Sequence, residues 1–337
     1  MGRKIKTEKM QEILIRTSGS VNKVAEILGI PTSTVWRRFR SVHNCSPGEW
    51  YQQYLERKEV KLLLNTDKLI SELQDRGYFV EKEAQSSDYE FTPKIKAFDG
   101  DIFELGLVSD THLCSKYQQL THLHTFYEMM SRRGITTILH CGDISDGENV
   151  YKGHVYELFQ HGANEQIEYV ARHYPEYSGI NTYYICGNHD ESFYKRSGID
   201  LGKYLSYQRK DLIHLGFHGA YFNVRYTKKL IYMHHGAGGV AYARSYKQQK
   251  IVEQFTPSQK PYIHLLGHYH TMNTLWSYRN VFSQMLPCFQ TQTPYLKRKG
   301  LNPEVGGMIL NFRIVDGKPT TPKVEFIPFY VHKEKDF

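Results

Sequence analysis

No run of eighteen apolar residues occurs in this chain, so it offers no candidate for a transmembrane helix. The opening stretch, MGRKIKTEKMQEILIRT, is charged throughout and lacks the apolar segment of a signal peptide. Cysteine is scarce. The five present (Cys45, Cys114, Cys141, Cys186, Cys288) show no CxxC spacing, and an odd number argues against a disulfide framework. Three of them lie beside the polar clusters described below and read as small buried thiols. These absences exclude a membrane-spanning or disulfide-stapled class and predict a cytoplasmic protein of a bacterium or an infected bacterial host.

What is present is ample for folding. The 337 residues are 40% hydrophobic and 14% aromatic, enough for one large domain with an appendage or for two domains. Charge is unevenly spread. Residues 1–41 hold nine Lys/Arg against three Asp/Glu, a net +6; residues 42–97 hold eight against ten, and the remainder 26 against 22. An N-terminal excess of this kind suits a polyanionic partner. Sixteen of the seventeen histidines follow residue 98. Positive charge is concentrated in the first part of the chain and histidine in the second.

Periodicity divides the chain into three segments: 1–45, 46–97 and 98–337. In the first, Lys6–Thr17, Val21–Leu28 and Ser33–Val42 read as short helices. Ser18-Gly19-Ser20 marks a turn and cap, and Gly29-Ile30-Pro31 is a stop. Two short helices about a glycine turn form a helix-turn-helix, whose second helix can enter the DNA major groove. The stretch GSVNKVAEILGIPTSTVWRRFR resembles helix-turn-helix segments of the Fis and resolvase type, with Ala25, Gly29, Ser33-Thr34 and Arg37-Arg38 in the matching places. The resemblance implies DNA contacts from Thr32, Ser33, Thr34, Trp36, Arg37, Arg38 and Arg40. In the second segment, Ser46-Pro47-Gly48-Glu49 is a capping box opening a helix to about Gly77, and Glu81–Lys96 reads as a polar linker.

After Phe98 the pattern changes. Ile102–Val108, Thr136–His140, Thr182–Cys186, Leu230–Met233 and Tyr262–Leu266 look like buried strands, with helical stretches at Lys116–Arg133 and Gln160–His173. Ile309–Ile314 and Lys323–Pro328 read as two further strands. This is an α/β arrangement, in which active sites form at strand ends. Each of the first five strands runs into a polar cluster: Asp110-Thr111-His112, Gly142-Asp143, Gly187-Asn188-His189-Asp190, His235-Gly236 and Gly267-His268-Tyr269-His270. Two Asp, one Asn and several His in mixed N/O ligation suit two adjacent divalent ions and phosphate-ester hydrolysis. His234 and His235 are neighbours on a strand, so only one of them can face the site. His122, His124, His154, His161, His173, His214, His218 and His264 fit no ligand slot and read as surface or packing residues, with His154 and His161 placed to line a substrate groove.

The ordered set D-x-H, G-D, G-N-H-[DE], H-G and G-H-x-H resembles the calcineurin-like metallophosphoesterase superfamily, and its G-D-I-S-D-G loop resembles that of repair-type nuclease subunits. The resemblance implies a β-sandwich flanked by helices, here preceded by the small all-α module. It implies that Asp110, His112 and His270 hold one metal, that Asn188, His235 and His268 hold a second, and that Asp143 bridges them. Manganese is the expected ion, with Fe, Zn, Ni or Co as alternatives. His189 becomes the proton donor, and Asp146 fixes its tautomer. The protein-phosphatase branch carries an arginine after the Asp146 position; this chain has Gly147. The reading this supports is a DNA nuclease targeted by its N-terminal module, with DNA as partner and a homodimer as a further expectation. Two alternatives stand beside it: a phosphomonoesterase or cyclic-nucleotide phosphodiesterase, and a DNA-binding regulator with an incidental metal site.

Overall fold

The structure, a computed structural model, describes residues 7–17, 20–51, 53–54, 94–95, 101–224 and 227–337. The chain divides into two compact units, residues 1–76 and 77–337. Most of the expected helix to Gly77 and of the linker lies outside the described residues.

Among its described residues the first unit has the helices α1 (Thr7–Arg16), α2 (Val21–Leu28) and α3 (Thr32–His43), and helical residues again from Pro47. Met10, Leu14, Val24, Ala25, Val35 and Phe39 meet in one small core. Local chemistry sets the corners. The Ser20 hydroxyl caps α2 by accepting the Lys23 N–H, and Gly29 ends it at a φ of +61°, a left-handed conformation suited to glycine. Helix α3 opens at Thr32, one residue earlier than its expected span, with Pro31 at the cap position making no side-chain capping bond. Thr32, Ser33, Trp36, Arg37 and Arg40 are exposed, whereas Thr34 and Arg38 are half-buried beside the inward-facing Val35 and Phe39. The capping box forms as expected: the Ser46 N–H donates to Glu49 at 2.7 Å, and the Glu49 N–H donates to the Ser46 hydroxyl at 3.1 Å.

The second unit is built on two mixed sheets. One carries β2 (Ile102–Val108), β3 (Thr137–Cys141), β4 (Asn181–Cys186) and β5 (Leu212–Phe217) in parallel order, and its other edge is antiparallel β11 (Gly306–Val315), paired in turn with β12 (Lys318–Pro319) and β13 (Lys323–Pro328). The other runs β1-β6-β7-β8-β10-β9, where β1 is Lys94–Ile95, β6 Gly219–Val224, β7 Ile231–His235, β8 Ile263–Gly267, β9 Asn273–Tyr278 and β10 Val281–Met285. Lys94–Ile95 therefore departs from the linker expectation: it pairs in parallel with Asn223–Val224 at the sheet edge.

The sheets share a core in which Leu105, Leu107, Leu139 and Ile185 meet Phe222, Ile231, Met233 and Leu265. The outer face of the first sheet is covered by α4 (Leu120–Arg132), α5 (Ala163–His173), α6 (Glu191–Ser197) and α7 (Leu201–Gln208). Phe126, Val170 and Leu205 there bury against Ile138 and Tyr184. On the second sheet, α8 (Ser245–Gln254) packs over β9 and β10. Strands covered on both faces are buried along most of their length, as in β8 throughout and in β3 from Ile138 onward. None of the described helices is long and apolar enough to cross a membrane. All five cysteines are unpaired, and burial pushes the thiols of Cys114, Cys141 and Cys186 up, so they remain protonated.

Candidate metal centre

The ends of β2, β3 and β4 from one sheet and of β7 and β8 from the other converge at one seam. Asp110 and His112 follow β2, Asp143 follows β3, and Asn188 and His189 follow β4. His235 closes β7, and His268 and His270 follow β8. Along β7 burial alternates, so His235 shares the inward face with Ile231 and Met233, and its Nε2 stands 3.1 Å from both Asp143 Oδ2 and Asn188 Oδ1. His234 points the other way, toward His264 and Tyr232, and burial holds its imidazole down at about 3.

Several ligand-type residues take a backbone conformation that L-residues avoid. Asp110, His112, Asp143, His268 and His270 all have positive φ, between 44° and 85°. Each such position costs about 1–3 kcal/mol and persists only where the surroundings enforce it. The motif glycines have a separate cause. A Cβ on Gly142 or Gly187 would run into the His235 ring, the latter also into Asp143, and one on Gly267 would strike Ser109 and the Cys141 carbonyl. Glycine stands at these places because side chains converge there.

The donor atoms form two overlapping groups. Asp110, His112 and His270 lie together, as do Asp143, His235 and His268, with Asp143 also beside His112 and His189. Across the first group, His112 Nε2 and His270 Nε2 face each other at 3.1 Å, and His270 Nε2 is 3.3 Å from Asp110 Oδ1. Two imidazole nitrogens directed at each other beside a fully buried carboxylate suit a shared cation. His268 bonds through Nε2 to the Gly238 carbonyl at 2.9 Å, which leaves Nδ1 as its ligand atom, while its backbone N–H donates to the Asp110 carboxylate. His235 is oriented the same way, with Nδ1–H donating to the Cys141 carbonyl at 2.8 Å. The donor set therefore fits a dinuclear divalent-metal site of N and O ligands.

Charge is balanced within this seam. Burial alone would raise the Asp143 carboxyl, but His235 and His189 hold it well below the usual carboxylate range, and His270 and His235 do the same for Asp110. Burial alone would lower His189 and His235. Asp143 and, for His189, Asp146 push both up to about 9 instead.

The second layer differs in part from the sequence expectation. His189 Nδ1–H donates to the Asp146 backbone carbonyl at 2.6 Å, with the carboxylate farther off at 3.3 Å. The shorter carboxylate bond, 2.7 Å, comes from His112 Nδ1. Asp146 thus braces a metal-ligand candidate and the catalytic candidate together. His154, read from sequence as a packing or groove residue, is fully buried behind this carboxylate. Its Nδ1 accepts the Val150 N–H at 3.3 Å, and its Nε2 lies 3.4 Å from Asp146 Oδ2. Asp190, quoted in the motif without a role, accepts N–H bonds from Gly187, Ile144 and Ser145 and ties the β3 and β4 loops together. His161 is half-exposed beside Glu148. A side chain at Gly147 would collide with the His189 carbonyl, so the arginine of the protein-phosphatase pattern has no room here.

Next to these groups lies a cavity of about 420 Å³, lined by His112, Asp143, Asn188, His189, His268 and His270 on one side. Its other side includes Tyr151, Val240, Tyr269, Tyr295, Leu296 and Leu301.

No curated protein matches the chain by sequence. Among solved structures, it is similar to Vps29 of Chaetomium thermophilum (10% identity, 67% of this chain and 97% of that one, TM-score 0.34). It is also similar to a dimetal phosphatase of Danio rerio (9%, 67% and 98%, 0.35). A third is the calcineurin-like phosphoesterase YfkN of Bacillus subtilis (7%, 67% and 90%, 0.37). Residues 103–283, more than half of the chain, match the calcineurin-like phosphoesterase family and span all five strand-end clusters. The chain belongs to that family.

Proposed function

We propose that this protein is a metal-dependent phosphodiesterase acting on DNA. The observation that carries the reading is the convergence of seven ligand-type side chains from two sheets, with a buried, positively poised His189 facing the same cavity. Asp110, His112 and His270 would hold one ion, Asn188, His235 and His268 the other, and Asp143 would serve both. Manganese suits this mix of imidazole and carboxylate better than Mg or Ca. When bound, the ion pair polarises the phosphoryl oxygens and activates a water at neutral pH. His189, whose protonated form Asp143 and Asp146 favour in the metal-free protein against the effect of burial, is placed to donate a proton to the leaving oxygen. Asp146 keeps that ring turned with Nε2 toward the substrate, through its own carbonyl.

DNA is favoured by the first unit, whose α3 exposes Trp36, Arg37 and Arg40 beside a net +6 over residues 1–41. Such a unit raises the local concentration of a polyanion. Wild-type protein with Mn²⁺ is expected to cleave both bis(p-nitrophenyl) phosphate and labelled DNA, and His189→Ala to lower both rates by about 10²–10⁴-fold. Equal rates in the variant count against the assignment. Arg37→Ala and Arg40→Ala should each lower the salt slope of DNA binding by roughly one. A second reading, hydrolysis of small cyclic nucleotides, draws on the cavity beside the metal residues. Turnover of cyclic nucleotides without DNA cleavage would select it.

A further inference from the structure

The cavity beside the metal residues has a composition of its own. Its volume of about 420 Å³ falls in the range of small-ligand pockets, roughly 300–1,000 Å³, and is far too small for a stacked duplex. The wall away from the histidines is apolar and aromatic, with Val240 from the loop after β7, and Tyr295 and Leu296 from α9 (Pro294–Arg298), followed by Leu301. Tyr295 is held rigidly: its ring stacks on Tyr151 at 4.2 Å, its backbone N–H donates to Glu157, and the Tyr151 hydroxyl donates to the same carboxylate. A wall of this kind binds a flat apolar ring.

The rim carries the opposite chemistry. The Lys299 ammonium sits 5.9 Å above the Tyr295 ring, and exposed Lys297 and Arg298 precede it. At Gly238, another lining residue, the Lys247 ammonium comes close; a Cβ there would stand 3.6 Å from the Lys247 Nζ. Positive groups therefore lie beside the lining at two separate places, one near Tyr295 and one near Gly238. A small apolar phosphoester needs the slot alone, whereas a strand of nucleic acid needs both, since each base is flat and each linkage is charged.

We infer that the cavity takes one unstacked nucleotide of a single nucleic-acid strand, its base against Tyr295, Leu296 and Leu301 and its flanking phosphates at Lys247 and Lys299. This rests on the phosphodiesterase reading and deepens it: the substrate is an unpaired stretch or a frayed end, and a paired base must leave the duplex to be cut, at an unstacking cost.

The test uses the full chain with two probes. The first is a single-stranded oligonucleotide carrying one 2-aminopurine, bound in Ca²⁺ and followed by fluorescence, with its blunt duplex alongside. The second is bis(p-nitrophenyl) phosphate with Mn²⁺. The expected result is a fluorescence change with the single strand that Tyr295→Ala weakens by roughly tenfold, the order of one base–aromatic stack. Leu301→Trp, which fills the slot, abolishes it, and Mn²⁺-dependent cleavage prefers the single strand over the duplex. Should the wild type hydrolyse the small diester yet cut duplex and single strand equally, or should both variants keep the fluorescence change, the nucleotide slot is overturned while the phosphodiesterase reading stands. Failure to hydrolyse the small diester at all overturns the phosphodiesterase reading, and this inference with it.

Discussion

The two sheets bring different chemistry to the same seam. The first, through the loops after β2, β3 and β4, contributes the oxygen donors (Asp110, Asp143, Asn188), the bracing Asp146 and two histidines. The second, through β7 and β8, contributes only imidazoles: His235, His268 and His270. Carboxylates come from the side whose loops are tied together by Asp190. The side without carboxylates borrows its orientation from the first sheet, through Cys141 and Asp110. Every carboxylate of the seam therefore comes from the first sheet, whereas imidazoles come from both, His112 and His189 from the first and His235, His268 and His270 from the second.

The largest expected effect comes from removing the carboxylate that both sides share. Asp143→Ala should lose bound metal by elemental analysis and lower Mn²⁺-dependent hydrolysis by about 10³-fold or more, since several kcal/mol of charge stabilisation depend on it. Retention of both ions would mean that the sheets bind metal independently. Next comes the layer behind the first sheet. His154→Ala, which removes the imidazole 3.4 Å from the buried Asp146 Oδ2, should cost roughly 10–100-fold in metal affinity or rate, with His154→Gln recovering part of it by placing an amide N–H near that oxygen. An unchanged pH–rate profile and metal affinity in His154→Ala would reduce this residue to packing.

Smaller, and confined to the second sheet, is a pH effect on metal binding. His235 is raised to about 9 without metal, above its ordinary 6.5, and must shed its proton to ligate. Metal affinity should therefore rise with pH throughout the range below about 9, by up to tenfold per unit, and flatten above that. The same shift gives the metal-free protein a stabilising contribution that is complete below about 6.5 and lost as pH rises through about 9. Calorimetric titration at both ends of this window checks the slope; a flat profile removes His235 from the ligand set. The least change is expected from His234→Gln, which alters the outward face of β7 and should leave metal content at the wild-type level.

The seam was readable because two signals coincide there: a short apolar run ending at a polar cluster, repeated five times. Strand alternation allowed only one of His234 and His235 to face the site, and the resemblance, with its ligand directly before glycine, chose His235. Other parts gave no such signal. Strands β5 and β6 are interrupted by His214, Gly216, His218 and Gly219, which break the apolar period. The β9–β10 hairpin turns at Arg279-Asn280, both with positive φ, where glycine is the usual marker. His154 arrives in a 3-10 turn after Gly153, with neither periodicity nor a motif to mark it, and becomes visible only once the fold sets it behind Asp146. Gln290, 3.5 Å from the same carboxylate, comes from the far end of the chain. Its role depends on tertiary contact alone.

The left-handed backbone at Asp110, His112, Asp143, His268 and His270 bears on how this protein folds. Asp and His enter this conformation more readily than other non-glycine residues, yet it still costs free energy at each of the five corners, and a peptide spanning only the first two clusters lacks the tertiary contacts that offset it. The corners lie between β2 and β3 of one sheet and β7 and β8 of the other, elements far apart along the chain. Metal binding at this centre therefore requires both sheets to be in place, and loss of metal is a readout of damage to either one.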